Sequence, residues 1–242
     1  MKFGNITIGG MSLGSIKIGG AKLGNTLVYQ AGSGPAPLPY TEVEYIETDG
    51  TAYIDTGIKG NAPRSTEFKI TPVAPASGNA YVYGCRKDSG NTRFALLVIT
   101  SAKKPGFAYS SGAYISTIDI SSSVTNGTPM DVRVVLQNGS CKLSVKQQGE
   151  SSFTDYTQSV SATITTGVNI FLFAYNNMGS VGAPVAGTRF WPVKIYSDAT
   201  FTTLVWDAVP CYYNGEYGMW DKVSDSFFGN AAGSGAFTGP QI

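Results

Sequence analysis

The sequence predicts an all-β protein, a sandwich preceded by a small β segment built from a repeat. Three observations carry this reading. Apolar and polar residues alternate with period 2 over several short stretches, as they do in strands with one buried face. No stretch shows the i, i+3, i+4, i+7 apolar stripe with capping residues that marks a helix. Glycine, 30 of 242 residues, recurs between the β-prone runs, where turns need it.

The first element is a ten-residue repeat over positions 3 to 29. Phe3-Gly4-Asn5-Ile6-Thr7-Ile8, Leu13-Gly14-Ser15-Ile16-Lys17-Ile18 and Leu23-Gly24-Asn25-Thr26-Leu27-Val28 align without a gap. Gly9-Gly10 and Gly19-Gly20 read as punctuation between runs of four or five residues, which suits short strands in a meander or solenoid rung. Three such units bury too little apolar surface to be stable alone. Phe3, Ile6, Ile8, Leu13, Ile16, Ile18, Leu23, Leu27 and Val28 are therefore expected to dock against other subunits or another protein. Residues 31–39, with Pro35, Pro37 and Pro39, read as a semi-rigid linker.

From residue 40 the pattern is β almost throughout. Val132, Val134 and Leu136 alternate with Arg133, Val135 and Gln137. Asn138-Gly139 then turns the chain into Cys141, Leu143 and Val145, the strongest hairpin signal present. Phe94, Leu96 and Val98 form a second inward set, and Trp191, Val193 and Ile195 a third. Residues 169–175 are apolar on both faces and predict a central strand covered on each side.

Composition narrows the function. With 17 Lys and Arg against 16 Asp and Glu, no long-range field steers nucleic acid or anionic membrane to the chain. There is no His, which removes the commonest general base and metal ligand, and with them a Ser-His-Asp hydrolase or a His-ligated zinc enzyme. Cys85, Cys141 and Cys211 are far apart and odd in number, so they read as buried thiols of a protein made in a reducing cytoplasm. The first ten residues lack the apolar core of an export signal.

Two stretches go beyond generic β patterning. Residues 40–47 with Asp49-Gly50-Thr51-Ala52-Tyr53-Ile54-Asp55-Thr56-Gly57 resemble the opening of a concanavalin A-like (LamG-like) jelly-roll domain of phage and prophage structural proteins. Pro210-Cys211, Gly218, Trp220-Asp221, Phe227-Phe228, Asn230-Ala231, Gly233, Gly235, Phe237 and Gly239 resemble its close. Leu172-Phe173-Ala174 before Asn176-Asn177, and Arg189-Phe190 leading into Lys194-Ile195-Tyr196, stand where that family has its last core strands. The decads, ending in Leu27-Val28-Tyr29, are similar to short Gly/Ile repeats that precede an appended domain in phage proteins.

The resemblance implies residues 1–30 as a docking or oligomerisation segment, 31–39 as a linker and 40–242 as a concanavalin A-like jelly roll. It implies a virion component, a head fibre or decoration protein or a tail appendage, made in the host cytoplasm. Other virion proteins would be met through residues 1–30, in a homo-oligomer such as a trimer. Weak glycan or host-surface attachment is the expected role. The alternatives are a decoration protein without ligand, a secreted carbohydrate-binding module and, last, a glycoside hydrolase.

Ligand-binding candidates are aromatic, since ring faces stack on sugar C–H surfaces while amides and Arg meet hydroxyls. Tyr212, Tyr213, Tyr217 and Trp220 surround Asn214-Gly215, and Tyr81, Tyr83, Arg86 and Arg93 form a second group. Filling of a sandwich core is the competing reading for both. Glu42, Glu44 and Glu47 have the look of a paired-carboxylate motif, but at the start of the domain they read as an edge strand with solvent-facing charges. Catalytic residues are therefore not assigned. The Asp residues are scattered without a calcium loop, so neither metal nor cofactor is assigned. Gly229 to Gly235 and Gly32 to Gly34 lack the Lys-Ser/Thr of a P-loop and read as turns.

Overall fold

The computed structural model describes residues 2–3, 6–13, 16–23, 26–30, 38–87, 92–100, 105–111, 127–137, 139–159, 165–182 and 184–240. Side chains are described for 38–87, 127–137, 139–157, 159, 166–182 and 184–240. Met1–Pro39 and Tyr40–Ile242 form two compact units.

The first unit is an antiparallel sheet of β1 (Lys2–Phe3), β2 (Ile6–Leu13), β3 (Ile16–Leu23) and β4 (Thr26–Gln30), paired in chain order. The glycine pairs do not punctuate it. Gly9 pairs with Gly20 and Gly10 with Gly19, in mid-strand, with a register irregularity at Gly10. Ladder hydrogen bonds are made by backbone alone, so facing glycines extend the strands to eight residues. The expected docking residues all fall in these strands, and their side chains lie outside the described residues.

The second unit opens with β5 (Thr41–Glu42), β6 (Ile46–Thr48), β7 (Ile54–Asn61), β8 (Arg64–Thr71), β9 (Asn79–Arg86) and β10 (Thr92–Thr100). There follow β11 (Pro105–Ser111), β12 (Met130–Gln137), β13 (Ser140–Gln147), β14 (Thr154–Ser159), β15 (Thr165–Leu172) and β16 (Tyr175–Asn177). It closes with β17 (Ser180–Gly182), β18 (Arg189–Tyr196), β19 (Leu204–Tyr213), β20 (Glu216–Asp221), β21 (Ser226–Phe228) and β22 (Phe237–Thr238). The larger sheet runs β14-β13-β12-β8-β18-β19-β20-β21, with β6 bridging β18 and β22 and β5 beside β19. The smaller runs β11-β10-β9-β15-β7, with β16 on β9 and β17 on β16. Both contribute to one core, in which Phe68 packs on Tyr83 and Phe190, and Phe173 on Phe190 and Phe237. The chain is thus an all-β sandwich.

The hairpin of β12 and β13 pairs Gln137 with Ser140 across positions 138 and 139, where Gly139 takes φ 87°. Val132, Val134, Leu136, Cys141, Leu143 and Val145 are all buried, as their alternation predicts. β15 lies between β9 and β7, with Ile170 and Leu172 in the core. Phe171 is covered on the opposite face by Tyr53, at 4.6 Å between ring centroids.

Trp191 departs from the expected inward set. Register shifts between Phe190 and Val193, a bulge carrying Pro192. Proline has no N–H for the ladder, and the extra residue turns Trp191 outward, where Lys69 sits 4.6 Å above its ring and Tyr45 beside it. Phe190 takes the inward place with Val193 and Ile195. The side chains of Phe94, Leu96 and Val98 lie outside the described residues.

The two stretches that carry the family resemblance are one structural unit. β5 pairs with β19 and β6 with β22. The Asp49 carboxylate accepts the backbone N–H groups of Thr51, Ala52 and Ala236. Asn230 Oδ1 accepts from Tyr53 and Ala232, while its Nδ2 donates to Ser234 and Gly235 carbonyls. These bonds shape residues 229–235 into the turns expected of them.

Candidate functional site: the cleft beside the Asn214-Gly215 turn

Asn214 and Gly215 take φ 50° and 91°, the pair of positive angles that a two-residue type I′ hairpin turn requires. That turn sets the register of β19 and β20, so Tyr212 faces Tyr217 and Tyr213 faces Glu216. Adjacent strand residues point to opposite faces, and the four-aromatic cluster is accordingly divided.

Tyr213 and Trp220 lie on one face in a small apolar cluster with Tyr40, Val209 and Cys211. Tyr40 stacks on Trp220 at 4.7 Å and Tyr213 meets it edge-on at 5.2 Å. Trp220 is 7 % exposed, and its indole N–H donates to Asp225. Gly218 makes room here, since a Cβ on it would come 2.5 Å from the Phe228 carbonyl oxygen. Trp220 is thus buried in this cluster and not presented to a ligand, while Tyr213 is half-buried at its edge.

Tyr212 and Tyr217 lie on the other face, edge to face at 4.9 Å. They form one wall of a cleft of about 490 Å³ whose opposite wall is the glycine-rich segment at Gly233, Gly235 and Ala236. The Tyr217 hydroxyl donates to the Pro240 carbonyl at 3.1 Å, fixing the ring. Asn230 also lines the cleft, but its amide is occupied in holding the loop. Glu216 reaches the rim of the cleft, but it stands opposite Tyr213 in register and its carboxylate lies on that other face, near Gly229 and Phe227.

The second aromatic group is also split. Val98 pairs with Tyr81 but Leu97 with Tyr83, so β9 carries an extra residue at Val82. This bulge puts Tyr81 and Tyr83 on opposite faces despite their i, i+2 spacing. Tyr83 is fully buried, shares a 2.7 Å hydrogen bond with Thr66 and has its phenol pKa pushed up by burial. As a ligand residue it too is corrected. Tyr81 packs on Tyr175 at 4.4 Å, and a Cβ on Gly182 would fall on the Tyr175 ring. Arg86 is half-buried at the end of β9 and Arg93 stands opposite it in register. The Arg93 side chain lies outside the described residues.

The three glutamates of the opening strands each have their own partner. Glu42 meets Lys222 at 3.1 Å, Glu44 accepts from the Trp191 indole at 3.3 Å, and Glu47 pairs with Arg189 at 2.5 Å. They tie the opening segment to β18 and to Lys222, just past the end of β20. Among the described residues no three His, Cys, Asp or Glu side chains converge as metal ligands.

No family model and no curated protein matches the chain. Among solved structures it is similar to the CBM40 of the Ruminococcus gnavus IT-sialidase bound to α2,3-sialyllactose. Identity is 19 % over 64 % of this chain and 90 % of that one, with TM-score 0.48. It is also similar to the enzymatically active domain of bacteriophage CBA120 tailspike protein 2, at 12 % identity over 59 % of this chain and 23 % of that one, TM-score 0.42. A third is the SAP-like pentraxin of Limulus polyphemus, at 14 % identity over 65 % and 77 %, TM-score 0.40. These are likenesses of fold.

Proposed function

We propose that the chain is a phage virion structural protein, on head or tail, that binds glycans weakly through the cleft beside Asn214-Gly215. The observation that carries the binding reading is the cleft itself. Two tyrosine rings with differently directed faces stand opposite a wall of glycine backbone. A sugar offers C–H faces to the rings and hydroxyls to the rest. A volume of about 490 Å³ lies within the range of small-ligand sites. The virion reading rests on the resemblance of the opening and closing stretches and of the decads. In it, residues 1–30 associate with copies of the chain or with other virion proteins, and many copies raise a weak single-site affinity to avidity. The role is binding rather than hydrolysis, consistent with the separate engagement of Glu42, Glu44 and Glu47.

Saturation-transfer NMR of the full chain against a panel of mono- and disaccharides tests the reading, with light scattering giving the oligomeric state on the same sample. The expected result is transfer to at least one sugar, lost in Tyr212→Ala and retained in Tyr213→Ala. No transfer to any sugar, or transfer indifferent to Tyr212, contradicts it.

A further inference from the structure

The outer face of the larger sheet carries a groove of about 300 Å³ that shares no lining residue with the cleft. Glu67 and Lys69 of β8, Asp131 and Arg133 of β12, Lys146 of β13 and Lys194 of β18 point to this face, because they alternate with the buried Phe68, Val132, Val145 and Val193. Four cations thus stand against two carboxylates, in a chain whose formal net charge is +1. Register sets Asp131 between Lys146 and Lys69, and Glu67 between Arg133 and Lys194. Each carboxylate pairs to one side. Asp131 meets Lys146 at 2.9 Å, and Glu67 meets Arg133 at 3.4 Å while accepting the Tyr196 hydroxyl proton. Lys69 and Lys194 make no ion pair with a described residue, and this includes Asp207, which stands opposite Lys194 in register. Aromatic rings restrain the other cations and Lys69 without neutralising them. Lys69 lies over Trp191, and Arg133 and Lys146 lie 4.5 and 5.2 Å from the centre of the Phe153 ring.

We infer that this groove binds an acidic saccharide, whose carboxylate or phosphate oxygens are received by Lys69 and Lys194. The two lysines are diagonal neighbours across β8 and β18, roughly 7–8 Å apart at the backbone, within reach of one oxyanion for side chains of this length. The anion gains charge-assisted hydrogen bonds from ammonium groups that no described carboxylate engages. Restraint of Lys69 by Trp191 lowers the side-chain freedom lost on binding. A volume of about 300 Å³ stands at the lower end of small-ligand sites, which gives room for a sugar ring. Phe153 and Pro192 offer that ring apolar surface.

The test is an NMR titration of the full chain at low ionic strength with glucuronic acid, glucose 6-phosphate, glucose and inorganic phosphate, following the backbone amides of β8, β12 and β18. Lys69→Gln and Lys194→Gln are compared with Lys142→Gln, which lies on the same face outside the groove and pairs with Asp155. All three lysines face solvent, and circular dichroism checks that the variants fold. At least one acidic sugar is expected to shift the groove amides, and glucose to leave them unmoved. Lys69→Gln and Lys194→Gln should each weaken that binding about fivefold, the upper range of an exposed ion pair, and Lys142→Gln by less than about twofold. Added salt should erode it. Binding of one acidic sugar and not the other supports the inference and identifies the anionic group. Acidic sugars that leave the groove amides unmoved, or bind with an affinity indifferent to both lysines, overturn it. Inorganic phosphate binding as tightly as either acidic sugar overturns the saccharide part. The cleft reading is decided separately, by the amides of Gly215 and Gly233.

Discussion

Tyr83 and Thr66 show how one buried hydrogen bond is judged. Both are buried, 2.7 Å apart, in the middle of the core. Removing one partner strands the other without water, at about 1–3 kcal/mol, whereas removing both leaves an apolar pair. Tyr83→Phe is expected to destabilise by that amount, and Tyr83→Phe with Thr66→Val by much less. Urea denaturation of the two singles and the double measures the coupling; additive losses would contradict the account.

Cys85 and Cys211 make a second residue-scale case. Burial pushes both thiols up, from about 9 to about 12, because a thiolate there would lose its hydration. The folded state therefore favours the neutral thiol. The stability this contributes is whole below about pH 9 and is lost as pH rises from there to about 12. A thiol reagent at pH 8 is expected to label Cys85 and Cys211 only as fast as the chain opens. Prompt labelling of the native protein would contradict their burial.

At the scale of elements, alternation was legible wherever a strand runs without interruption. β12 and β13 bury the residues their period assigns, and β15 is covered on both faces. In Leu143→Ala the lost transfer energy adds to a cavity, for about 2–5 kcal/mol. Lys142→Ala on the solvent face removes only an exposed ion pair with Asp155, at less than about 1 kcal/mol. Thermal denaturation of the two variants checks the ranking, and comparable losses would mean the hairpin is misoriented.

What alternation missed are the bulges. The extra residue in β9 sends Tyr83 inward, and the Pro192 bulge in β18 sends Trp191 outward. A bulge is set by what the neighbouring strands can pair with, and local sequence carries only hints of it, such as a proline amid a strand. The aromatic density around Asn214-Gly215 was legible, and so was the turn. The division of the cluster follows from the turn, since a two-residue loop pairs Tyr212 with Tyr217 and leaves Tyr213 on the other face. Glycine pairs read as turns in the decads proved to be paired in mid-strand, because composition marks where a turn is tolerated and register decides where it falls.

At the scale of the whole molecule, the segment after the linker and the segment at the end of the chain are joined by β5 on β19, β6 on β22, and the hydrogen bonds of Asp49 and Asn230. The cleft lies against this junction, so its glycine wall is held by residues far from it in sequence. Backbone N–H groups hold the Asp49 carboxyl below the usual carboxylate range, the bond from Ala52 contributing most. Sugar binding should therefore depend on Asp49 through the shape of the wall.

The most direct measurement is the map of backbone amide shifts in the full chain as a bound sugar is titrated in. The account predicts shifts gathered at Gly215, Glu216, Gly233, Gly235 and Ala236. Shifts gathered instead around Tyr81 and Tyr175, or none with any sugar, would contradict it.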